Sequence, residues 1–218
     1  IMALAIFDLD NTLLAGDSDY LWGRYLCENN IVDEAAYRTA NDHFYQQYVN
    51  GTLDIYEFLE FVFTPYANHS MQELESWRAA YLEEKIKPII LPAGIELIEK
   101  HRAQGDTLLI ITATNSFLTQ PIAELLGIEH LIGTEPEMIN GAFTGKVSGT
   151  PSFQHGKIER LKMWLNHRDE DMENSIFYSD SHNDIPLLEL VDTAVAVDPD
   201  DKLAAVAKEK GWKILSLR

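Results

Sequence analysis

Short apolar runs that end at polar residues recur along this chain and predict buried strands. The runs cover residues 2–7, 107–111, 175–178 and 193–197. Uninterrupted apolar runs of this length are typical of strands covered on both faces, as in parallel sheets. Helical patterns follow or separate these runs at residues 91–104, 116–126, 155–168 and 201–210. Alternating strands and helices predict an α/β fold with a doubly wound, Rossmann-like parallel sheet.

One long stretch, residues 16–90, breaks this alternation. It is aromatic and helical in pattern, with candidate helix caps at Asp33 and Ser70 and no convincing buried strand. We therefore expect a Rossmann-like core formed by residues 1–15 and 91–218, with a helical cap, residues 16–90, inserted after the first strand. In residues 133–149, glycines among short apolar alternations predict a β-hairpin.

The charge of the chain excludes several kinds of partner. Its 35 acidic residues outweigh 17 basic ones, for a formal net charge of −18. Such a surface repels phosphate backbones and anionic lipids, so we expect neither a nucleic-acid nor a membrane partner. No apolar run approaches the ~18 residues of a membrane span, and the N-terminal run is too short for a signal peptide. With Cys27 as the single cysteine, these features predict a cytoplasmic protein, and they predict no particular oligomeric state.

Polar residues with chemical potential follow the predicted strands. They are Asp8, Asp10, Thr112, Lys157, Asp180 and Asp184. Because parallel strands deliver their carboxyl ends to one edge of a sheet, we expect these side chains to meet there. Two carboxylates 4 Å apart repel by about 4 kcal/mol at an effective dielectric constant of 20, so the cluster requires a cation. An all-oxygen site suits Mg²⁺, which shares its coordination shell with water and a substrate phosphate.

The segment Asp8-Leu9-Asp10-Asn11-Thr12 resembles the D-x-D-x-T signature of the haloacid dehalogenase-like hydrolase superfamily. Thr112, Lys157 and the segment of residues 180–184 are similar to its second, third and fourth motifs and follow in the same order. The fourth motif, together with an insertion between the first and second motifs, most resembles subfamily IB, the phosphoserine phosphatase-like branch. The resemblance implies that residues 16–90 form a C1-type cap over the active site.

The resemblance also implies a phosphatase mechanism. Asp8 would attack phosphorus and form an aspartyl-phosphate intermediate. Asp10 would protonate the leaving alkoxide and then deprotonate the attacking water. The presence of an aspartate at position 10 indicates phosphoryl transfer, because the true dehalogenases of the superfamily lack it.

Further roles follow from the same resemblance. Phosphate binding falls to Thr112, the N–H of Ala113, Lys157 and Asn183. Metal binding falls to Asp8, the main-chain carbonyl of Asp10 and Asp180, with Asp184 acting through a water or by orienting Lys157. The cofactor so implied is Mg²⁺, and the partner is a small phosphorylated metabolite.

The predicted cap carries the information on substrate. Asp17 matches the position of a glutamate that binds the substrate ammonium group in the phosphoserine phosphatase-like branch. That branch also has a cap arginine for the substrate carboxylate, but the corresponding stretch here contains Tyr56 and Glu57, and residues 39–77 include no Lys or Arg. An unpaired buried carboxylate would cost several kcal/mol. Phosphoserine is therefore disfavoured, although a phosphoserine phosphatase remains an alternative.

The composition of the cap favours a cationic or flat leaving group. Residues 17–90 hold 13 acids against five bases, and they carry aromatic residues that include Trp22, Tyr45, Tyr48, Phe58 and Trp77. An amino-alcohol phosphate such as histidinol phosphate fits, through carboxylate pairing and cation–π contact. The competing interpretation is that the aromatics form the core of the cap and its acids face solvent. A function of another class, a phosphoaspartate signalling module without turnover, is disfavoured by Asp10, Lys157 and the cap.

Overall fold

The computed structural model describes residues 3–166 and 168–218, and within these residues seven strands form one sheet. The strands are β1 (Leu4–Phe7), β2 (Thr107–Asn115), β3 (His130–Ile139), β4 (Ala142–Ser148), β5 (Ile176–Ser179), β6 (Thr193–Val197) and β7 (Lys213–Leu215). Their spatial order is β4-β3-β2-β1-β5-β6-β7, and all neighbours are parallel except β3 and β4. The chain thus winds outward from β1 in one direction and then returns beside β1 at β5. This arrangement is an α/β fold with a doubly wound sheet.

Helices cover the sheet and form the long insertion. They are α1 (Ser18–Glu28), α2 (Glu34–Asn50), α3 (Ile55–Ala67), α4 (Met71–Tyr81), α5 (Pro92–Gln104), α6 (Ser116–Leu125), α7 (His155–Leu165), α8 (Ile185–Leu188) and α9 (Asp201–Lys210). A π-helical turn, Leu82–Ile86, and a 3₁₀ turn, Lys87–Ile89, connect α4 to α5. None of the helices in the described ranges is both long and apolar enough to cross a membrane.

The apolar runs place β1 in the middle of the molecule. Leu4 and Ile6 pack into the cluster on one face of the sheet, and Phe7 packs into the cluster on the other. All three side chains are at most 2% exposed, as expected for a strand covered on both faces. The cluster that contains Phe7 continues into the insertion, where it includes Trp22 and Tyr66. The insertion therefore packs against the face of the sheet to which Phe7 contributes.

The insertion begins and ends at a short stem. Leu14 and Ile90 form an antiparallel bridge, and the N–H of Ala15 donates to the carbonyl of Ile89 at 2.7 Å. This stem lies at the boundaries predicted for the cap, and the division into a core and a cap domain stays a prediction. The predicted helix caps are confirmed, because Asp33 accepts from the N–H of Ala36 and Ser70 forms a capping box with Glu73.

Several predicted elements differ at their ends. The first strand begins at Leu4 among the described residues, and residue 2 of the predicted run lies outside them. The helix predicted over residues 155–168 ends at Leu165, and residue 167 also lies outside the described residues. The hairpin is confirmed as β3 and β4, but β3 begins earlier, at His130, and pairs in parallel with β2. The second strand continues beyond the predicted residue 111 to Asn115.

Candidate active site

Lys157 lies at the centre of the carboxyl edge of the sheet, between two buried aspartates. Its Nζ is 2.9 Å from Oδ1 of Asp8 and 2.8 Å from Oδ1 of Asp184. Asp8 follows β1, Asp184 follows β5, and Lys157 lies in the first turn of α7, so three separate elements supply this cluster. The three side chains are each at most 5% exposed. Water therefore screens these charges little.

Asp10 lies beside this cluster and has its own hydrogen-bond partners. Its Oδ1 accepts from the backbone N–H of Ser18 at 2.6 Å, and its Oδ2 accepts from Oγ1 of Thr114 at 2.7 Å. The Ser18 carbonyl in turn accepts from the hydroxyl of Tyr81 at 2.6 Å. The first turn of α1 and the end of β2 thus fix the orientation of the Asp10 carboxylate.

Asp180 completes the set of carboxylates predicted from the sequence. Its Oδ1 accepts from Oγ1 of Thr12 at 3.0 Å, and its own backbone N–H donates to the same hydroxyl at 3.1 Å. The Asp180 carboxyl group also lies within hydrogen-bonding reach of Asp8. A hydroxyl from the first motif therefore joins the loop after β1 to the loop after β5.

The electrostatics of the cluster reflect an excess of negative charge. Burial, with further contributions from Asp184 and Asp10, raises the pKa of Asp8 to about 7 despite the opposing effect of Lys157. Burial and the neighbouring Asp8 also raise the pKa of Asp180. For Lys157, burial lowers the pKa, but attraction to Asp184 and Asp8 outweighs it, so the net pKa is raised. The lysine stays charged, and one lysine does not neutralise four aspartates.

The donor set fits a magnesium ion. Asp8 and Asp180 are adjacent carboxylates with raised pKa values, so a cation beside them would keep both ionised. Across residues 3–166 and 168–218, no three His, Cys, Asp or Glu side chains form a complete metal site. Two carboxylates with a backbone carbonyl and water suit Mg²⁺, which usually retains several waters. Asp184 is placed differently, because it contacts Lys157 and the hydroxyl of Ser179.

The predicted phosphate-binding residues lie around the same point. The hydroxyl of Thr112 accepts from the N–H of Thr114 at 3.2 Å, and Ala113 lines the adjoining cavity with both threonines. Helix α6 begins at Ser116, as predicted, and Ala113 lies before it in β2. The strand passes through an irregularity there, where the hydroxyl of Thr134 donates to the Ala113 carbonyl at 2.8 Å.

Asn183 lies in the 3₁₀ turn after β5 and connects the core to the insertion. Its Nδ2 donates to the carbonyl of Tyr48, and its Oδ1 accepts from Nε2 of Gln154 at 3.0 Å. Gln154 has a φ of 51° and a ψ of −123°, an uncommon conformation for a residue with a side chain, directly before α7. Asn183 is therefore held on both sides, and its amide faces the end of α2 in the insertion.

A small cavity of about 50 Å³ lies between this edge and the insertion. Four aspartates line it: Asp8, Asp10, Asp17 and Asp19. Aromatic side chains form much of the remaining wall, namely Tyr20, Phe44, Tyr45, Tyr48, Phe58 and Phe153. Within the described residues, the lining contains no Lys or Arg. The cavity is thus negative and aromatic.

The structure places the three predicted substrate residues of the cap in different environments. Asp17 lines the cavity, and it also caps α1 by accepting from the N–H of Tyr20 at 2.8 Å. Tyr56 and Glu57 do not line the cavity. Both lie in the first turn of α3 and are exposed, Tyr56 by 60%. The buried face of this helix instead contains Leu59, Val62 and Phe63, and it turns Phe58 towards the cavity.

The other aromatic residues predicted in the cap fall into two groups, one in the hydrophobic core and one along the cavity. Trp22 is fully buried in the core, and Trp77 packs against it, so for these two the competing interpretation of a structural role holds. Tyr45, Tyr48 and Phe58 line the cavity. The cap aromatics therefore serve both purposes, and burial separates the two groups.

Sequence reasoning missed several residues of the site. Thr12 is part of the first signature, Thr114 follows Thr112 by two positions, and Ser179 directly precedes Asp180. Their closeness to the motif residues was the available signal. Asp19 gave a weaker signal, because an acid in the first turn of a helix is common.

Together, the doubly wound sheet, the inserted helices and the buried aspartates around one lysine define a hydrolase with an α/β core and a covered active site. A model of the haloacid dehalogenase-like hydrolase family matches residues 5–189. The chain belongs to this family of hydrolases.

Two relatives match this chain over nearly its whole length. The chain is 45% identical over 219 residues to a histidinol-phosphatase of Neisseria meningitidis serogroup C, covering 99% of both proteins. It is 31% identical over 228 residues to phosphoserine phosphatase SerB1 of Mycobacterium tuberculosis, covering 100% of this chain and 72% of that protein.

Solved structures have the same fold. A protein of Bordetella pertussis Tohama I with unknown function superposes with a TM-score of 0.94 at 39% identity, covering 100% of this chain and 99% of that one. A substrate-bound phosphoserine phosphatase superposes with a TM-score of 0.72 at 16% identity, covering 100% and 94%. The second similarity concerns the fold alone.

Proposed function

We propose that this protein is a Mg²⁺-dependent phosphatase that acts through an aspartyl-phosphate intermediate on an amino-alcohol phosphate, histidinol phosphate being the best candidate. The observation that carries the proposal is that the two aspartates of the first motif, Asp8 and Asp10, have different contact partners. Asp8 contacts an ammonium group at 2.9 Å, whereas Asp10 is held by neutral donors at 2.6 and 2.7 Å. This difference suits a nucleophile and a general acid–base residue.

In the first step, a carboxylate oxygen of Asp8 attacks phosphorus, and the bond between phosphorus and the ester oxygen breaks. Asp10 donates its proton to the departing alkoxide. Lys157 favours the ionised form of Asp8 and stabilises the charge that develops on the phosphoryl oxygens. Thr112, the N–H of Ala113 and Asn183 bind the remaining phosphoryl oxygens.

In the second step, Asp10 accepts a proton from a water molecule, and the water oxygen attacks phosphorus. The bond between phosphorus and the Asp8 oxygen breaks, which restores Asp8 and releases inorganic phosphate. Mg²⁺ held by Asp8, Asp180 and the Asp10 carbonyl would supply positive charge to the phosphoryl group. Asp184 orients Lys157 through their contact at 2.8 Å, with Ser179 fixing the other carboxylate oxygen.

The cavity supports an amino-alcohol phosphate over phosphoserine. A carboxylate of the substrate would enter a space lined by four aspartates and, within the described residues, by no Lys or Arg. A protonated amine or an imidazole would instead meet carboxylates and aromatic rings. The relative of Neisseria meningitidis that is 45% identical bears the name histidinol-phosphatase, which supports the same choice.

The proposal is tested by measuring phosphate release from histidinol phosphate, phosphoserine and a sugar phosphate, with Mg²⁺ and with EDTA. We expect Mg²⁺-dependent turnover with the highest kcat/KM for histidinol phosphate. Asp8→Asn should abolish turnover, whereas Glu60→Gln, an equal charge change on the exposed side of α3, should not affect it. A clear preference for phosphoserine or the sugar phosphate would refute the amino-alcohol substrate, and turnover by Asp8→Asn would refute the intermediate.

A further inference from the structure

Asp19 is a buried carboxylate that has no hydrogen-bond or ion-pair partner among the described residues. It lies in the first turn of α1, is 9% exposed and lines the cavity beneath the inserted helices. Within residues 3–166 and 168–218 its side chain makes no hydrogen bond or ion pair, and the surroundings that act on it are burial and the negative charge of Asp10. Buried carboxylates in proteins are normally paired, so an unpaired one that faces a cavity indicates a position for a ligand.

The neighbouring Asp17 differs in this respect. One of its carboxylate oxygens accepts from the N–H of Tyr20 at 2.8 Å and so caps α1. The capping bond gives Asp17 a structural role whatever the ligand. Asp19 has no such role among the described contacts, and both of its oxygens are available to a donor in the cavity.

The surroundings of Asp19 favour a cation. The cavity presents Asp10 and Asp17 close enough to influence each other and no basic side chain within the described residues. On the same wall, the rings of Tyr20 and Tyr45 lie 5.1 Å apart at 50°. A protonated nitrogen gains from a carboxylate and from the faces of such rings, whereas an anion gains from neither.

The position of Asp19 also suits the chemistry of the proposed substrate class. In an amino-alcohol phosphate the amine is attached close to the ester oxygen, and Asp10 must reach that oxygen to donate its proton. A carboxylate near Asp10 is therefore near the nitrogen as well. Asp10 and Asp19 line the same cavity, and, after burial, the charge of Asp10 contributes to the raised pKa of Asp19.

Resting on the proposed function, we infer that Asp19 is a specificity-determining residue that pairs with a protonated nitrogen of the leaving alcohol. It selects phosphate esters with a cationic leaving alcohol over those with a neutral one, and it takes no part in phosphoryl transfer itself. Removing its charge should therefore lower the discrimination between substrates and leave the chemical step unchanged.

The test compares wild type, Asp19→Asn and the control Glu60→Gln on two alkyl phosphates. One is histidinol phosphate, and the other is glycerol 2-phosphate, whose leaving alcohol is uncharged. Both are poor leaving groups that need the proton of Asp10. A hydrogen-bonded charge pair is worth about 10- to 100-fold in affinity, so Asp19→Asn should lose about that factor in kcat/KM on histidinol phosphate. The loss should appear mainly in KM, with activity on glycerol 2-phosphate retained and a thermal stability no lower than that of wild type.

A second measurement separates this inference from the proposed function. Histidinol, which contains no phosphate, is titrated into wild type and Asp19→Asn with calorimetric detection, and we expect binding to weaken by a similar factor in the variant. Equal losses on both esters would show that Asp19 positions Asp10 and would overturn the inference, as would unchanged kinetics on histidinol phosphate. If wild type hydrolyses neither ester, the proposed function fails, and histidinol binding alone then decides the role of Asp19: weaker binding to the variant supports it, and equal or absent binding overturns it.

Discussion

At the scale of single residues, the site depends on hydroxyl groups that hold carboxylates in fixed orientations. Thr12 holds Asp180, Ser179 holds Asp184 and Thr114 holds Asp10. Each hydroxyl belongs to a strand end or to the loop that follows it. Because proton transfer and in-line attack depend on geometry, loss of one hydroxyl should change catalysis more than folding.

Thr114→Val tests this idea at the proposed general acid. The variant removes the 2.7 Å hydrogen bond to Asp10 and keeps the shape of the side chain. We expect kcat on an alkyl phosphate to fall by about tenfold, equivalent to ~1.4 kcal/mol. The loss on p-nitrophenyl phosphate should be smaller, because p-nitrophenolate leaves without a proton. Steady-state kinetics with both substrates check the prediction, with Thr39→Val on the exposed face of α2 as control, and equal losses on both substrates would contradict it.

Only the structure shows why position 156 requires a glycine. A Cβ at this position would lie 2.1 Å from the carbonyl oxygen of Pro151. Gly156→Ala must therefore displace the start of α7, and Lys157 with it. We expect kcat/KM to fall at least ~10-fold and the protein to lose ~2 kcal/mol of stability, a size typical of overpacking.

The matched control for this variant is Gly94→Ala. A Cβ at Gly94 in α5 would have a methyl group of Leu13 as its nearest neighbour among the described residues, at 3.3 Å. Kinetics and urea unfolding are measured for both variants. Full activity in Gly156→Ala would mean that Lys157 tolerates movement of its helix.

At the scale of elements, the end of α2 is the point where the insertion meets the loops of the core. The carbonyl of Tyr48 accepts from Asn183, and that of Asn50 accepts from Nζ of Lys202 at 3.0 Å. Gly51 follows with a φ of 74°, and its missing side chain makes room for the ring of His182. This contact brings Tyr48 and the adjoining cavity wall against the active site.

Gly51→Ala tests the contribution of this contact. A Cβ would lie 2.7 Å from Nε2 of His182, so the end of α2 should move away from the core. We expect KM to rise several-fold, in addition to a loss of about 1 kcal/mol for forcing alanine into a positive φ. Gly141→Ala is the control, because Gly141 has a φ of 80° and a Cβ there would meet no atom of the described residues within 4 Å, so the variant tests the backbone effect alone. Equal kinetics of the two variants would contradict a role for the contact in substrate binding.

The elements also show how far the sequence predicts this structure. The strands and the core motifs were predictable because buried runs are local signals and parallel strands bring their ends together. Substrate-facing positions of the insertion were harder, as Tyr56 and Phe58 show. The apolar spacing of Leu59, Val62 and Phe63 indicates which face of α3 is buried, but Tyr56 and Phe58 flank that face on opposite sides, so the spacing does not choose between them.

Other features depended on contacts between distant segments. The extension of β2 to Asn115 rests on the hydrogen bond from Thr134 to Ala113, which no local pattern indicates. The unpaired state of Asp19 depends on what the other helices place around it. Sequence patterns identify residues with chemical potential, and the packing of separate elements decides which of them face the substrate.

At the scale of the whole molecule, part of the net charge of −18 is concentrated in one buried place. The pKa of Asp8 and that of Asp19 are both raised to about 7, chiefly by burial. Raised carboxyl pKa values mean that the folded protein binds protons more tightly than the unfolded chain. Their stabilising contribution is complete below the unfolded value, near 3.8, and is lost as the pH rises through about 7.

The metal-free protein should therefore have a lower free energy of unfolding at about pH 8 than at about pH 5.5, by a few kcal/mol at most. Asp19→Asn should reduce this pH dependence, because an amide has no charge to bury, and it should be more stable than wild type mainly at the higher pH. Added Mg²⁺ should stabilise wild type more at the higher pH, where it no longer competes with a proton on Asp8. Urea unfolding in EDTA and in Mg²⁺ at both pH values measures these differences, with Glu60→Gln as the charge-matched control. If the wild-type and Asp19→Asn stabilities stay parallel across this range, Asp19 is ionised and paired in the folded protein, contrary to the electrostatic account given above.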